Sequence, residues 1–135
     1  MDIDQDDVVA VANRFRAAMR DGAAARLGAV LDDDVTFYSP AFAEPSTGRD
    51  RVAAILATAS GVYGDLSFEQ QLVSGPTAVL FFEADVAGQH LHGCYRLTVS
   101  ELGTITGIEA LMRPLDAVQA LVTTMMSRLA ARGTA

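Results

Sequence analysis

The stretch AVLFFEADVAGQHLHGCYRLTV, residues 78–99, reads as two strands joined by a tight turn. Leu80, Phe82, Ala84 and Val86 alternate with Phe81, Glu83 and Asp85, which is the period-two pattern of a half-buried strand. After Ala87-Gly88-Gln89 the alternation resumes: Leu91, Gly93, Tyr95, Leu97 and Val99 share one face, and His90, His92, Cys94 and Arg96 share the other. The connection decides which of these sets meets Glu83 and Asp85. A two-residue turn at Gly88-Gln89 sets Asp85 opposite His92 and Glu83 opposite Cys94. A three-residue loop changes the parity and places both carboxylates on the face of Gly93 and Tyr95.

Outward from this pair, turn signals recur about every ten residues, as successive hairpins require. LSFEQQLV precedes the turn SGPT, and ELGT leads into ITGIEALM, so four antiparallel strands are expected between Gly61 and Met112. Three helices come first. Val8, Ala12, Phe15 and Met19 carry the apolar stripe of the first, with Asp2, Asp4, Asp6 and Asp7 near its positive end and Gly22 at its C-cap. The second is short and bears Leu27, Val30 and Leu31; Asp32–Asp34 form a polar turn after it, and VTFYS is a short strand stopped by Pro40. The third, capped by Thr47 or Gly48, carries Val52, Ile55, Leu56 and Ala59 and ends at Gly61. Pro114 suits the first turn of a last helix with Leu115, Val118, Leu121, Val122, Met125 and Leu129. The class is α+β, in one domain spanning residues 1–135.

The formal net charge of −7 argues against nucleic acid and anionic membrane as partners. All ten cationic residues are arginine, which excludes lysine Schiff-base chemistry and a lysine-bearing phosphate loop. Cys94 is the only cysteine, so no internal disulfide forms. The acidic start MDIDQDD is not a secretory signal, and no window resembles a membrane span; a cytoplasmic protein is expected. The glycines lie scattered at turns, so no nucleotide or flavin cofactor is expected.

AVLDDDVTFYSP (29–40), GRDRVAAIL (48–56), VLFFEADV (79–86) and GTITGIEALMRPL (103–115), in that order and spacing, resemble the nuclear transport factor 2-like superfamily, which includes the SnoaL-like polyketide cyclases, ketosteroid isomerase and limonene epoxide hydrolase. The resemblance runs from about Val8 to Val122. It implies a curved antiparallel sheet forming a cone around a pocket, covered by the three N-terminal helices, with a C-terminal helix, and often a homodimer. It implies that Phe37 and Ser39 point inward and Tyr38 outward. It also favours the three-residue loop, because the counterparts of Asp85 and Tyr95 both face the pocket.

Two chemistries of that superfamily lose their residues here. Of the Asp–Arg–Asp arrangement of the epoxide hydrolases, Asp85 remains, but Glu83 stands for the arginine and Ala110 for the second aspartate; Phe37 and Ser39 replace the water-holding tyrosine and asparagine. Ser39, Phe15 and Tyr95 occupy the positions of the isomerase's base and its two oxyanion donors, so the base is missing. The expectation is therefore a pocket for a small, largely apolar molecule, lined by Phe15, Phe37, Ser39, Tyr95, Ala110 and Met112. Glu83 and Asp85 are its candidate polar handles or, in a lyase, cyclase or isomerase, its general base. The alternative for the pair is a solvated or dimer-facing strand surface, and for the whole chain a dimeric interaction module. His90, His92 and Cys94 could face a metal, but the spacing offers no further ligand, so none is expected. Met125 and Met126 read as core or interface filling.

Overall fold

The computed structural model of the chain describes residues 3–133, leaving Asp2 outside the described residues. Four helices, α1 (Gln5–Asp21), α2 (Ala24–Val30), α3 (Arg49–Val62) and α4 (Leu115–Ala131), pack on a six-stranded sheet. Its strands are β1 (Leu31–Tyr38), β2 (Ser46–Thr47), β3 (Gly64–Ser74), β4 (Thr77–Val86), β5 (Gln89–Val99) and β6 (Ile105–Arg113). They lie in the order β2-β1-β6-β5-β4-β3. The expected four-stranded meander is β3 to β6. The sheet is not antiparallel throughout, because β1 runs parallel to β6. That pairing is reached through α3 and the whole meander, a crossover that local turn signals do not reveal.

Helix α1 begins where the Asp4 carboxylate accepts the Asp6 N–H at 2.9 Å and ends at Gly22, φ 76°. Each end satisfies backbone groups that a helix leaves unpaired. Its buried stripe includes Val8, Ala12, Phe15 and Met19, as the spacing predicts. Helix α3 runs through Gly61 to Val62, one residue longer than expected, and Tyr63 caps it. Pro114 stands just before α4 rather than inside its first turn.

Asp32–Asp34 do not form a separate turn. They lie within β1, where the register with β6 jumps from Leu31↔Ile105 to Thr36↔Gly107. The extra residues swing outward, and the Asp32 carboxylate binds both the Asp34 N–H at 3.1 Å and the Thr104 hydroxyl at 2.9 Å. The local hydrogen bonding expected of aspartate is present, but inside a bulge. Leu31, assigned to the second helix from its sequence, opens this strand.

The connection after Val86 has two residues. Val86 pairs with Gln89, Asp85 with His90, and Glu83 with His92. Ala87 (φ 50°) and Gly88 (φ 79°) both take left-handed conformations, the geometry of a type I′ turn that matches strand twist. The turn therefore sits one residue earlier than Gly88-Gln89, and the three-residue loop favoured by the resemblance is absent. Leu80, Phe82, Ala84 and Val86 join Leu91, Tyr95 and Leu97 in the core. Phe82 stacks on Tyr95 with ring centroids 5.0 Å apart, and Phe15 meets Tyr95 edge-on at 5.5 Å. Gly93 makes room for this: a Cβ there would stand 2.8 Å from the Leu111 carbonyl oxygen and from the Phe82 ring. No helix among the described residues is long and apolar enough to cross a membrane.

Gly93→Ala should destabilise the protein by about 1–3 kcal/mol, read as a lower midpoint in urea, because the backbone of β6 cannot yield to the methyl group. Asp32 gives a pH-dependent check. Its hydrogen bond from Asp34, then that from Thr104, then the charge of Arg49 outweigh desolvation and hold its folded pKa below 3.8. A depressed folded pKa stabilises above the unfolded value and loses that contribution as pH falls through the folded one. Asp32→Asn should therefore destabilise at pH 7, with the difference from wild type shrinking in thermal unfolding below about pH 4.

Candidate functional site

The end of β1, α3, β5 and α4 enclose a cavity of about 150 Å³. Its walls are apolar, with Phe37, Leu56, Leu121 and Met125 among them, and Phe42 and Met126 near solvent. Phe37 is buried and Tyr38 is exposed, as the alternation of β1 requires. Four of the six expected lining residues border the cavity: Phe37, Ser39, Tyr95 and Met112. Phe15 and Ala110 lie in the core instead, Phe15 packed edge-on with Tyr95 and Ala110 opposite Tyr95 on β6.

The buried polar feature of the cavity is a pair of phenols, beside Ser39, Ser46 and Arg51 in its lining. Tyr63 Oη and Tyr95 Oη lie 2.6 Å apart. Tyr63 arrives from the C-terminal end of α3, and Tyr95 from the inner face of β5. Burial raises both hydroxyls above the ordinary tyrosine pKa of 10.0, Tyr63 well above it. The pair thus stays neutral near pH 7 and acts as a hydrogen-bond donor, not as a base. One proton closes the mutual bond; the other has no further protein partner among the described residues, which leaves it for an acceptor in the cavity. Tyr63 carried no sequence signal, because its partner lies 32 residues away. Arg51 and the α4 methionines also border the cavity, so Met125 and Met126 are more than filling between helices.

Glu83 and Asp85 are elsewhere. The two-residue turn puts them on the outer face of the sheet with His90 and His92, not on the face of Tyr95 and Gly93. Among the described residues lining the cavity there is no Asp, Glu or His. A general base for a molecule in the cavity therefore does not come from either carboxylate. On the outer face, Glu83 Oε1 lies 2.7 Å from His90 Nε2 and 3.1 Å from His92 Nδ1, and Asp85 Oδ1 lies 3.1 Å from His90 Nδ1. Glu83 raises His90 above its usual pKa, helped by Asp85, while a hydrogen bond from Glu69, then His90, lowers Glu83. The proximity of Glu83 in turn raises Glu69, with burial adding to the shift. Cys94 is set apart, opposite Phe81 and Leu111; burial, then Glu109, raises its thiol pKa, the reverse of an activated nucleophile.

A curved, unclosed sheet packed by these helices is the nuclear transport factor 2-like fold. The model of the SnoaL-like domain matches residues 12–108, and the chain belongs to that family. It is similar to the crystal structure of a steroid delta-isomerase from Pseudomonas aeruginosa, with 30% identity, 96% of each chain covered and a TM-score of 0.88. It is also similar to an uncharacterized protein with a cystatin-like fold from Silicibacter pomeroyi DSS-3, at 29% identity over 88% of this chain and 84% of that one, TM-score 0.86. An NTF2-like protein from Burkholderia xenovorans LB400 shares the fold at 19% identity, covering 91% and 98%, with a TM-score of 0.67. None of the curated proteins matches the chain.

The two phenols should contribute to stability non-additively. Tyr95→Phe leaves the Tyr63 hydroxyl buried without its partner, at about 1–3 kcal/mol. Tyr63→Phe combined with Tyr95→Phe removes both polar groups and should cost less than the sum of the single changes. A double-mutant cycle in urea measures the difference.

Proposed function

We propose that the domain binds a small, largely apolar molecule of one or two rings carrying a single carbonyl or hydroxyl oxygen, held in the cavity beside α3 and α4. The observation that carries this reading is the Tyr63–Tyr95 pair at 2.6 Å inside an apolar enclosure. Apolar walls supply affinity through burial, and one fixed donor selects for and orients an oxygen. The volume of about 150 Å³ suits a small ring, since a cavity of about that size accepts benzene. Met112, Met125 and Met126 can adjust to a somewhat larger one.

A second reading, an isomerase or cyclase, draws on the same pair and on the name of the P. aeruginosa relative. Preorganised donors in a dry site stabilise a developing oxyanion. Proton abstraction would also need a base, and the described residues lining the cavity include no carboxylate or imidazole. That imbalance makes binding the preferred reading.

Calorimetric titration with a one-ring cyclic enone and with its hydrocarbon counterpart separates the outcomes. The enone should bind more tightly, and Tyr63→Phe or Tyr95→Phe should weaken it roughly 5–10-fold, the value of about one hydrogen bond. The hydrocarbon should be insensitive to either change. Equal affinities for both compounds in wild type and variants would remove the phenol pair from recognition. Movement of the enone double bond, followed by ultraviolet absorbance and abolished by Tyr95→Phe, would establish the isomerase reading instead.

A further inference from the structure

The outer face of the β4–β5 hairpin presents a second cluster, independent of the cavity. From the sequence, His90 and His92 had no further ligand at a recognisable spacing. The observed register supplies one from the opposite strand: Glu83 faces His92, with His90 two residues before it. One donor atom from each of Glu83, His90 and His92 lies within 4.8 Å of the others. We propose that these three side chains form a binding site for a single borderline divalent transition metal of the zinc class, through Glu83 Oε1, His90 Nε2 and His92 Nδ1.

The distances fit such an ion. Metal–ligand bonds of about 2.0–2.1 Å in a tetrahedral arrangement separate the donors by roughly 3.3 Å. Glu83 Oε1 stands 2.7 and 3.1 Å from the two imidazole nitrogens, so rotations of exposed side chains suffice to open the site. Two imidazoles and one carboxylate are the donor set of an open zinc site, with the fourth position left to water. Calcium and magnesium, which prefer oxygen alone, suit it poorly.

The partners behind the ligands point the same way. Asp85 Oδ1 lies 3.1 Å from His90 Nδ1, so Nδ1–H can donate to a carboxylate while Nε2 turns its lone pair to a metal. This carboxylate–histidine–metal relay sets the tautomer that ligation needs. Phe68 pairs with Phe82 and Gln70 with Phe81, which leaves Glu69 as the unpaired residue of a bulge. Bulges re-aim side chains, and this one lies on the strand that pairs with β4 at Glu83. Two carboxylates and two imidazoles meet at one hairpin end. Both imidazoles address the same Glu83 oxygen, the position from which one divalent ion would be shared among all three.

The test is titration of the full chain, free of any polyhistidine tag, with Co2+ followed by displacement with Zn2+. The expected result is one Co2+ per chain with the intense visible absorption of four-coordinate cobalt, bleached by one equivalent of Zn2+. His92→Ala and Glu83→Gln should each weaken binding by more than about 10-fold and abolish the absorption. Asp85→Asn should weaken it about 10–100-fold while keeping the spectrum. Cys94→Ser should change neither. Circular dichroism of each variant controls for folding, and all of the altered ligands are partly exposed. Weak absorption or non-integral stoichiometry that survives His92→Ala and Glu83→Gln would mean an adventitious ion only, and the proposal fails. Loss of binding in Cys94→Ser would overturn the ligand set.

Discussion

Ala87 and Gly88 close the β4–β5 hairpin with two residues in left-handed conformations, and the placement of side chains on its two faces follows from that closure. A strand alternates its side chains with a period of two, so one more residue in the loop would exchange the faces of β5 relative to β4. With the observed register, Leu80, Phe82 and Ala84 share the core with Leu91 and Tyr95, and the charged residues share the outside with two histidines. The opposite parity would bury Glu83 and Asp85 or expose Phe82 and Tyr95. Burial of Phe82 alone contributes about 1.5–3 kcal/mol, which sets the scale of what a slipped register would forfeit.

The aromatic group at the centre connects packing to the cavity. Phe15, Phe82 and Tyr95 make a ladder of ring contacts, and Tyr63 leans on Phe82 at 5.4 Å. Gly93 permits the Phe82 ring to occupy its place, and Phe82 supports Tyr95 at the cavity wall. The phenol pair is thus held by core contacts on one side and meets open space on the other. Such support fixes the donor within a narrow geometry, as recognition of a single oxygen requires. Relatives at 30% identity or less keep this architecture while most of their side chains differ. The shape of the sheet therefore does not identify the ligand; the side chains inside it carry that information.

The same two strands present different chemistry on each face. Inside, burial raises the phenol pKa values and keeps the pair neutral. Outside, carboxylates and imidazoles stabilise one another's charged forms, as His90 and Glu83 show. The separation is between a dry, apolar enclosure and a wet, polar cluster, and it arises from alternation along β4 and β5 rather than from separate domains.

The sequence by itself determined the order of the four helices and of every strand except the short β2, the alternation along β4 and β5, the α+β class and the stripe of α1, because periodicity and caps are local. It also placed Phe37, Ser39, Tyr95 and Met112 near a common cavity through their resemblance to a known family. It left the hairpin parity open, since Ala87-Gly88-Gln89 can close in more than one way and an alanine with φ 50° is not a conformation composition foretells. It could not show that Tyr63 meets Tyr95, that Glu83 meets His90 and His92, or that β1 lies parallel to β6. Those contacts join residues from separate elements or depend on register. Only the folded chain, by burying one face of each strand and satisfying the backbone across the sheet, decided them.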